Sequence, residues 1–234
     1  MADSKEQTPN QWERAFAETQ RLRADGATLH AWATLINAFA TNESLKKHLI
    51  PLLEQRRALT SHLRALDEME GDYNVLEHTI EALHQYDPTF ASVRYDQSPL
   101  QAQHVARVTV WGILLHDHGK VEGIYNGLHQ EVSARIAKGN FLMLQDVYAP
   151  EFASQVVRLV GNHHIFEGIY NGTIPDAQAH AILPTVEDVD IMYSMTLADL
   201  RSYANHQQYI PLAKDVYEHM LGQKAPATDR LAKP

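Results

Sequence analysis

An all-α fold is the expectation for this chain, and three observations carry it. Nearly every segment places apolar residues at helical period, Pro, Gly and Asn-Gly breaks separate those segments, and no alternating β-branched run is long enough for a sheet. Its 234 residues, 44% of them hydrophobic, suffice for one sizeable core, or one core with a helical appendage. The expected organisation is an N-terminal helical extension over 1–71, a helical bundle bearing the chemistry over 72–222, and a disordered tail over 223–234.

The spacing predicts helices over about 10–24, 27–40, 43–68, 72–85, 98–116, 128–138, 149–163, 185–203 and 206–221. In the third of these, Leu49, Leu52, Leu53, Leu59 and Leu63 recur at helical spacing among basic and acidic residues. Such a charged amphipathic helix either packs along the bundle or pairs two copies of the chain as a homodimer. The fourth carries His78 beside Val75 and Ala82. The fifth, Val108 to Leu115, is apolar all round, the mark of a helix at the centre of a bundle. In the seventh, His163 shares a face with Val156, Leu159 and Val160, and in the eighth Asp199 shares one with Met192, Met195 and Thr196.

Composition narrows the function. The absence of cysteine excludes disulfides, zinc–thiolate sites and a thiol nucleophile, and fits a reducing compartment, with cytoplasm the default. Residues 1–9 lack the pattern of a signal peptide, and no run approaches the roughly 18 apolar residues of a membrane span. A net charge of −9 argues against binding extended nucleic acid, whose affinity comes from Lys and Arg neutralising phosphates. A small phosphorylated molecule remains compatible. Of the fourteen histidines, His30, His48, His62, His84 and His206 fall in polar or mixed contexts and read as surface or core-edge residues.

The chemistry concentrates where the central apolar run ends, at Leu114-Leu115-His116-Asp117-His118-Gly119-Lys120. A carboxylate at the mouth of a core would protonate unless a positive charge compensates it, and a divalent cation is the compensation that keeps it ionised. His78, His129, His163 and Asp199 complete an ordered series of candidate ligands with His116 and Asp117. A lone His or Asp at a helix end is more often a core or capping residue; it is the series that argues for metal. Imidazole with carboxylate suits Mn, Fe, Co, Ni or Zn, and an all-oxygen calcium cage lacks the carboxylates it needs. His164 is adjacent to His163 on a different helix face, so spacing favours His163 as ligand and leaves His164 to the substrate; His118 is expected in the loop past the pair.

The series His, His-Asp, His, His, Asp resembles the HD superfamily of metal-dependent phosphohydrolases. Four places, Glu77-His78-Thr79, Leu115-His116-Asp117 with Gly119-Lys120, Val160-Gly161-Asn162-His163, and Met195 to Arg201, are similar to the HD domain of bacterial uridylyl-removing enzymes and of tRNA nucleotidyltransferases. The resemblance implies that 72–222 is an HD-type domain. It also implies one metal held by His78, His116, Asp117 and Asp199, and a second held by His129 and His163 and bridged by Asp117. It makes Asp117 and Lys120 the catalytic candidates, with Lys120 and Arg201 as phosphate clamps, one a point charge and the other a planar fork. The implied activity is hydrolysis of a nucleotide or another small phosphomonoester or phosphodiester by a metal-activated water.

A short repeat, Glu122 to Gly127 and Glu167 to Gly172, reads Glu-Gly-Ile-Tyr-Asn-Gly twice. Either Asn and Gly build tight turns anchored by Ile and Tyr, or the two copies are lips offering Tyr125, Asn126, Tyr170 and Asn171 to a substrate. Two other functions share the ligand set. One is a mixed-valent di-iron oxygenase of the myo-inositol oxygenase and phosphonate-cleaving kind; the other is a non-catalytic, metal-dependent nucleotide sensor.

Overall fold

The computed structural model describes residues 26–59, 75–120 and 128–224. All regular structure among them is helical: α1 (Gly26–Phe39), α2 (Ser44–Leu59), α3 (Val75–Gln85), α4 (Phe90–Arg94), α5 (Pro99–Leu115), α6 (Leu128–Leu142), α7 (Pro150–Val160), α8 (Ile165–Tyr170), α9 (Asp176–Ile182), α10 (Val186–Ser202) and α11 (Ile210–Lys224). The all-α expectation is met. None of these helices is long and apolar enough to cross a membrane.

Helix α5 is the axis. Its second half is buried from Val108 through Leu115 without a break, which is what an all-round apolar sequence demands. It packs against α1, α3, α4, α6, α7 and α10. Trp111 lies at its middle with its ring edge-on to Phe141, and its indole N–H donates to the Tyr148 hydroxyl at 3.0 Å. Leu29, Trp32 and Ile36 of α1 and Leu45, Leu49 and Leu53 of α2 belong to the same hydrophobic cluster as α5, so this part of the N-terminal segment shares the bundle's core.

Two crossings set the positions of the site. Helices α5 and α10 meet where Gly112 has no side chain: a Cβ there would collide with the sulfur of Met195. Helix α10 in turn packs along α3 and α11. At its start a capping box holds it, with Thr185 accepting from the Asp188 N–H at 3.1 Å while Asp188 accepts from the Thr185 N–H at 3.2 Å. On another face of α10, the fully buried Asp190 accepts from Arg94 Nε at 3.1 Å and from the hydroxyls of Tyr95 at 2.5 Å and Tyr217 at 2.7 Å.

Several boundaries differ from the sequence reading. Helices α4, α8 and α9 were not anticipated, because five to seven residues are too few to display a helical period. Helix α6 runs on to Leu142, and α11 starts at Ile210 after a 3₁₀ turn at Gln207–Tyr209 and extends to Lys224, into the first residues of the expected tail. The predicted helix over 10–24, the later part of 43–68, and His62 lie outside the described residues.

Candidate metal centre

The ligand candidates arrive from five places in the chain. His78 stands in α3, His129 in the first turn of α6 and Asp199 near the end of α10, while His116, Asp117 and His163 stand where α5 and α7 stop. His116 caps α5, its N–H still bonded to the Gly112 carbonyl at 2.9 Å, and a tight turn follows in which Lys120 N–H reaches the Asp117 carbonyl at 2.9 Å. That turn is pinned by Gly119, whose N–H donates to Ser133 Oγ at 2.7 Å and whose missing Cβ would strike the His129 carbonyl oxygen. The Gly-Lys after the His-Asp pair thus has a physical reason: only glycine lets the turn lie on the backbone of α6. Past α7, a second turn over Gly161 to His164 delivers His163 inward.

Two groups result. In the first, His78 Nε2 lies 3.1 Å from His116 Nε2 and 2.9 Å from Asp199 Oδ1, and Asp117 Oδ2 lies 3.3 Å and 3.4 Å from the two imidazoles. In the second, His129 Nε2 lies 3.2 Å from His163 Nε2, and Asp117 Oδ1 lies 3.7 Å and 3.6 Å from them. Bonds of about 2.0–2.2 Å from one ion to N and O donors would space those donors by roughly 3 Å, which is the spacing seen here. The trios His78, His116, Asp199 and His129, His163, His164 could each hold a metal ion, and Asp117 sets one oxygen beside each group.

Hydrogen bonds at the far side of the rings fix their orientation. His116 Nδ1 lies 2.9 Å from the Ile113 carbonyl and His163 Nδ1 2.7 Å from the Val160 carbonyl, so each Nδ1 carries the proton and each Nε2 turns a lone pair inward. For His78 the partner is Ser202, whose Oγ lies 3.0 Å from Nδ1 and 2.6 Å from the Asp199 carbonyl; the Tyr203 ring stacks on the imidazole at 4.5 Å. His129 Nδ1 is shielded and has no hydrogen-bond partner.

The electrostatics of the two groups are opposite in sense. Burial pulls the pKa of His78 down, but hydrogen bonds and charge from Asp117 and Asp199 outweigh it and push it up to about 9. Burial also works against ionisation of Asp117 and Asp199, yet the surrounding imidazoles, with Lys120 for Asp117, hold both well below the usual carboxylate range. In the second group burial wins: His129 is lowered to about 4, His163 falls well below its ordinary value, and His164 is also lowered. Without an ion, the first group keeps a proton and the imidazoles of the second are held neutral.

A buried orphan tests whether cations fit. Asp117 is 2% exposed, and its Oδ1 has no hydrogen-bond partner although such an oxygen costs about 1–3 kcal/mol when left unpaired. The His129 and His163 Nε2 atoms lie 3.7 and 3.6 Å from it, beyond hydrogen-bond distance. A cation between them satisfies both, so the residues fit the group.

The six ligand candidates, His78, His116, Asp117, His129, His163 and Asp199, are thus all brought together. Lys120 joins them, with Nζ 2.8 Å from Asp117 Oδ2. His164 joins as well: its ring centre is 4.4 Å from that of His163, and it forms a possible ligand set with His129 and His163, a placement its helix face did not suggest because the turn at Gly161 ends the helix first. His118 is half-buried. Arg201 stands about 200° around α10 from Asp199 and makes no ion pair with either group among the described residues. Tyr125 and Asn126 lie outside the described residues. The second repeat copy forms α8 and its end, where Gly172 has φ +69° and the N–H groups of Thr173 and Ile174 return to the Gly168 carbonyl, so this copy is a helix-ending turn. Sequence reading missed Ser202 and Gly112, since neither carries a mark until the helices are placed.

Compared with models of protein families, with curated proteins and with solved structures, the chain matches none.

Proposed function

We propose that the chain is an HD-type, metal-dependent phosphohydrolase that uses two divalent ions to hydrolyse a nucleotide or another small phosphoester. The observation that carries this reading is the Asp117 carboxylate, buried and set with one oxygen toward each histidine group. His78, His116, Asp117 and Asp199 would hold one ion, and His129 and His163, with Asp117 shared, the other. Bound there, divalent ions such as Mn, Fe, Co, Ni or Zn would lower the pKa of water and neutralise charge on phosphoryl oxygens.

The chain's own groups supply the rest. Lys120, partly exposed beside Asp117, offers a point charge to an arriving phosphoryl oxygen and is the phosphate clamp of the described residues. Arg201 faces elsewhere and is given no part. His164, 41% exposed at its side chain and held neutral by burial of its ring, is the imidazole a substrate meets at the rim. The apolar side chains Ala82, Ile113 and Met195 wall a small cavity against His116, His163 and Asp199, and so limit how much water shares the space with the reacting bond.

The test is elemental analysis of anaerobically purified protein, beside a His129→Ala variant and a panel of nucleotides and phosphodiesters. Two ions per chain, one lost in the variant, together with hydrolysis, is the expected result. Two irons with oxygen consumption and no hydrolysis would replace this reading with the di-iron oxygenase. No bound metal would replace it with a nucleotide-binding module.

A further inference from the structure

Three threonines inside the described helices follow one habit. Thr34, Thr79 and Thr109 each donate to the carbonyl four residues earlier, at 2.8, 2.7 and 2.8 Å. A helical threonine settles into that bond when nothing better is offered. Thr196 breaks the habit: its hydroxyl oxygen is shielded from solvent and has no hydrogen-bond partner. A buried hydroxyl left that way destabilises the fold, and the back-bond that would relieve it is the one its fellows make.

The residue stands at the cavity of the candidate metal centre. Thr196 lines that cavity with Ala82, Ile113 and Met195 on the apolar side and His116, His163 and Asp199 on the polar side. These polar members come from both ligand groups, so the cavity sits where the two adjoin. It has room for about one molecule of water, and a water held in protein needs roughly two to four polar partners. An apolar guest would leave the hydroxyl, the carboxylate and the imidazoles unpaired.

We propose that the Thr196 hydroxyl seats the reacting water of the hydrolysis, donating to the water oxygen while the Asp199 carboxylate accepts one of its hydrogens. Once it has shed a proton, the water oxygen has three lone pairs: one takes the threonine hydrogen bond, one is available to an ion held by the ligand groups, and one is left for phosphorus. In the step that follows, a bond forms from that oxygen to phosphorus as the phosphorus–ester oxygen bond breaks, and the proton shed by the water goes to the departing oxygen. The assignment rests on the phosphohydrolase reading above, and it makes Thr196 a catalytic residue that no spacing argument singles out.

Thr196→Val keeps the shape and removes the hydroxyl, whereas Thr196→Ser keeps the hydroxyl. The expected result is a Val variant that melts no lower than wild type, with kcat down by roughly tenfold to a hundredfold at unchanged KM, and a Ser variant that recovers most of the rate. A crystal structure of the full chain should show an ordered solvent oxygen at hydrogen-bond distance from Thr196 Oγ1, lost in the Val variant. Wild-type kcat in the Val variant, a lowered Tm with rate intact, or a Thr196 hydroxyl turned to the Met192 carbonyl would overturn the assignment. So would a raised KM at unchanged kcat, which would mark the hydroxyl as a contact for a substrate oxygen. If the chain hydrolyses no phosphoester, the phosphohydrolase reading fails, and the solvent oxygen in the crystal still decides what the hydroxyl holds.

Discussion

Ser202 has one hydrogen to give, and the Asp199 carbonyl 2.6 Å away takes it. Toward His78 Nδ1 the same oxygen can therefore only accept, which places a proton on Nδ1 and leaves Nε2 as the atom for a metal. One hydroxyl thus ties the orientation of a ligand on α3 to the carbonyl of a ligand on α10. If both groups hold ions as proposed, removing it in Ser202→Ala is expected to weaken binding at the first group by about 10- to 100-fold and leave the second unchanged, with Ser202→Thr restoring the first. Metal titration of the three proteins checks this; equal loss at both ions would show a general loosening instead. His129 has no such support at its own Nδ1, so its ring is the ligand least constrained by its neighbours. That the six candidate positions converge was legible because an apolar stripe tells which way a side chain points. Ser202 was not, since a serine three residues past an aspartate is unremarkable until α3 is laid against α10.

At the scale of the helix, α10 shows what the period of 3.6 residues does and does not reveal. Its bounds, expected at about 185–203, fall at Val186–Ser202, because the apolar spacing is long and the Thr-x-x-Asp start is strong. The work of Asp188 beyond the cap depends on tertiary packing and left no trace in the sequence: it also accepts from Gln155 at 2.9 Å and from Arg158 at 2.7 Å. Burial alone would raise its pKa, but these bonds and that from Thr185 outweigh it and hold the carboxyl below its ordinary value. A depressed pKa in the folded state gives stability that is present above the unfolded value, near 3.9, and lost as pH falls through the folded value. Asp188→Asn is accordingly expected to cost about 1–3 kcal/mol at pH 7, with the gap to wild type closing below about pH 4. Denaturant midpoints at pH 7 and pH 3 measure it, and a gap that stayed constant would assign the loss to the cap geometry rather than to the charge.

For the molecule as a whole, the candidate metal centre and the fold are one device, since its candidate ligands come from α3, α5, α6, α7 and α10 together with the turns between them. An ion that binds the folded chain alone stabilises it by about 2.7 kcal/mol at a hundred times its Kd. Chelation should therefore lower Tm, and the size of the drop should depend on pH. His78, raised from 6.5 to about 9 in the metal-free fold, contributes stability below the unfolded value that is lost as pH rises through 9. An ion must displace that proton, so the stabilisation on adding metal should grow between pH 6.5 and 9, read as the difference in Tm with and without chelator. The architecture was legible only in part for a related reason. Helix periods say which faces are apolar, whereas the close approach of α5 and α10 at Gly112 against Met195 is something no period encodes.

Gly119 makes the last point. Its backbone lies against the His129 carbonyl and bonds to Ser133, so the turn carrying Asp117 is riveted to the first turns of α6. The spacing of the Asp117 turn from the helix bearing His129 is set by main chain, which is stiff, rather than by side-chain rotamers, which swing. The pair of groups is a fixed-gap caliper: its jaws would not open to suit whatever ions are at hand, and any ions it took would be chosen by fit to the gap as much as by affinity for nitrogen or oxygen.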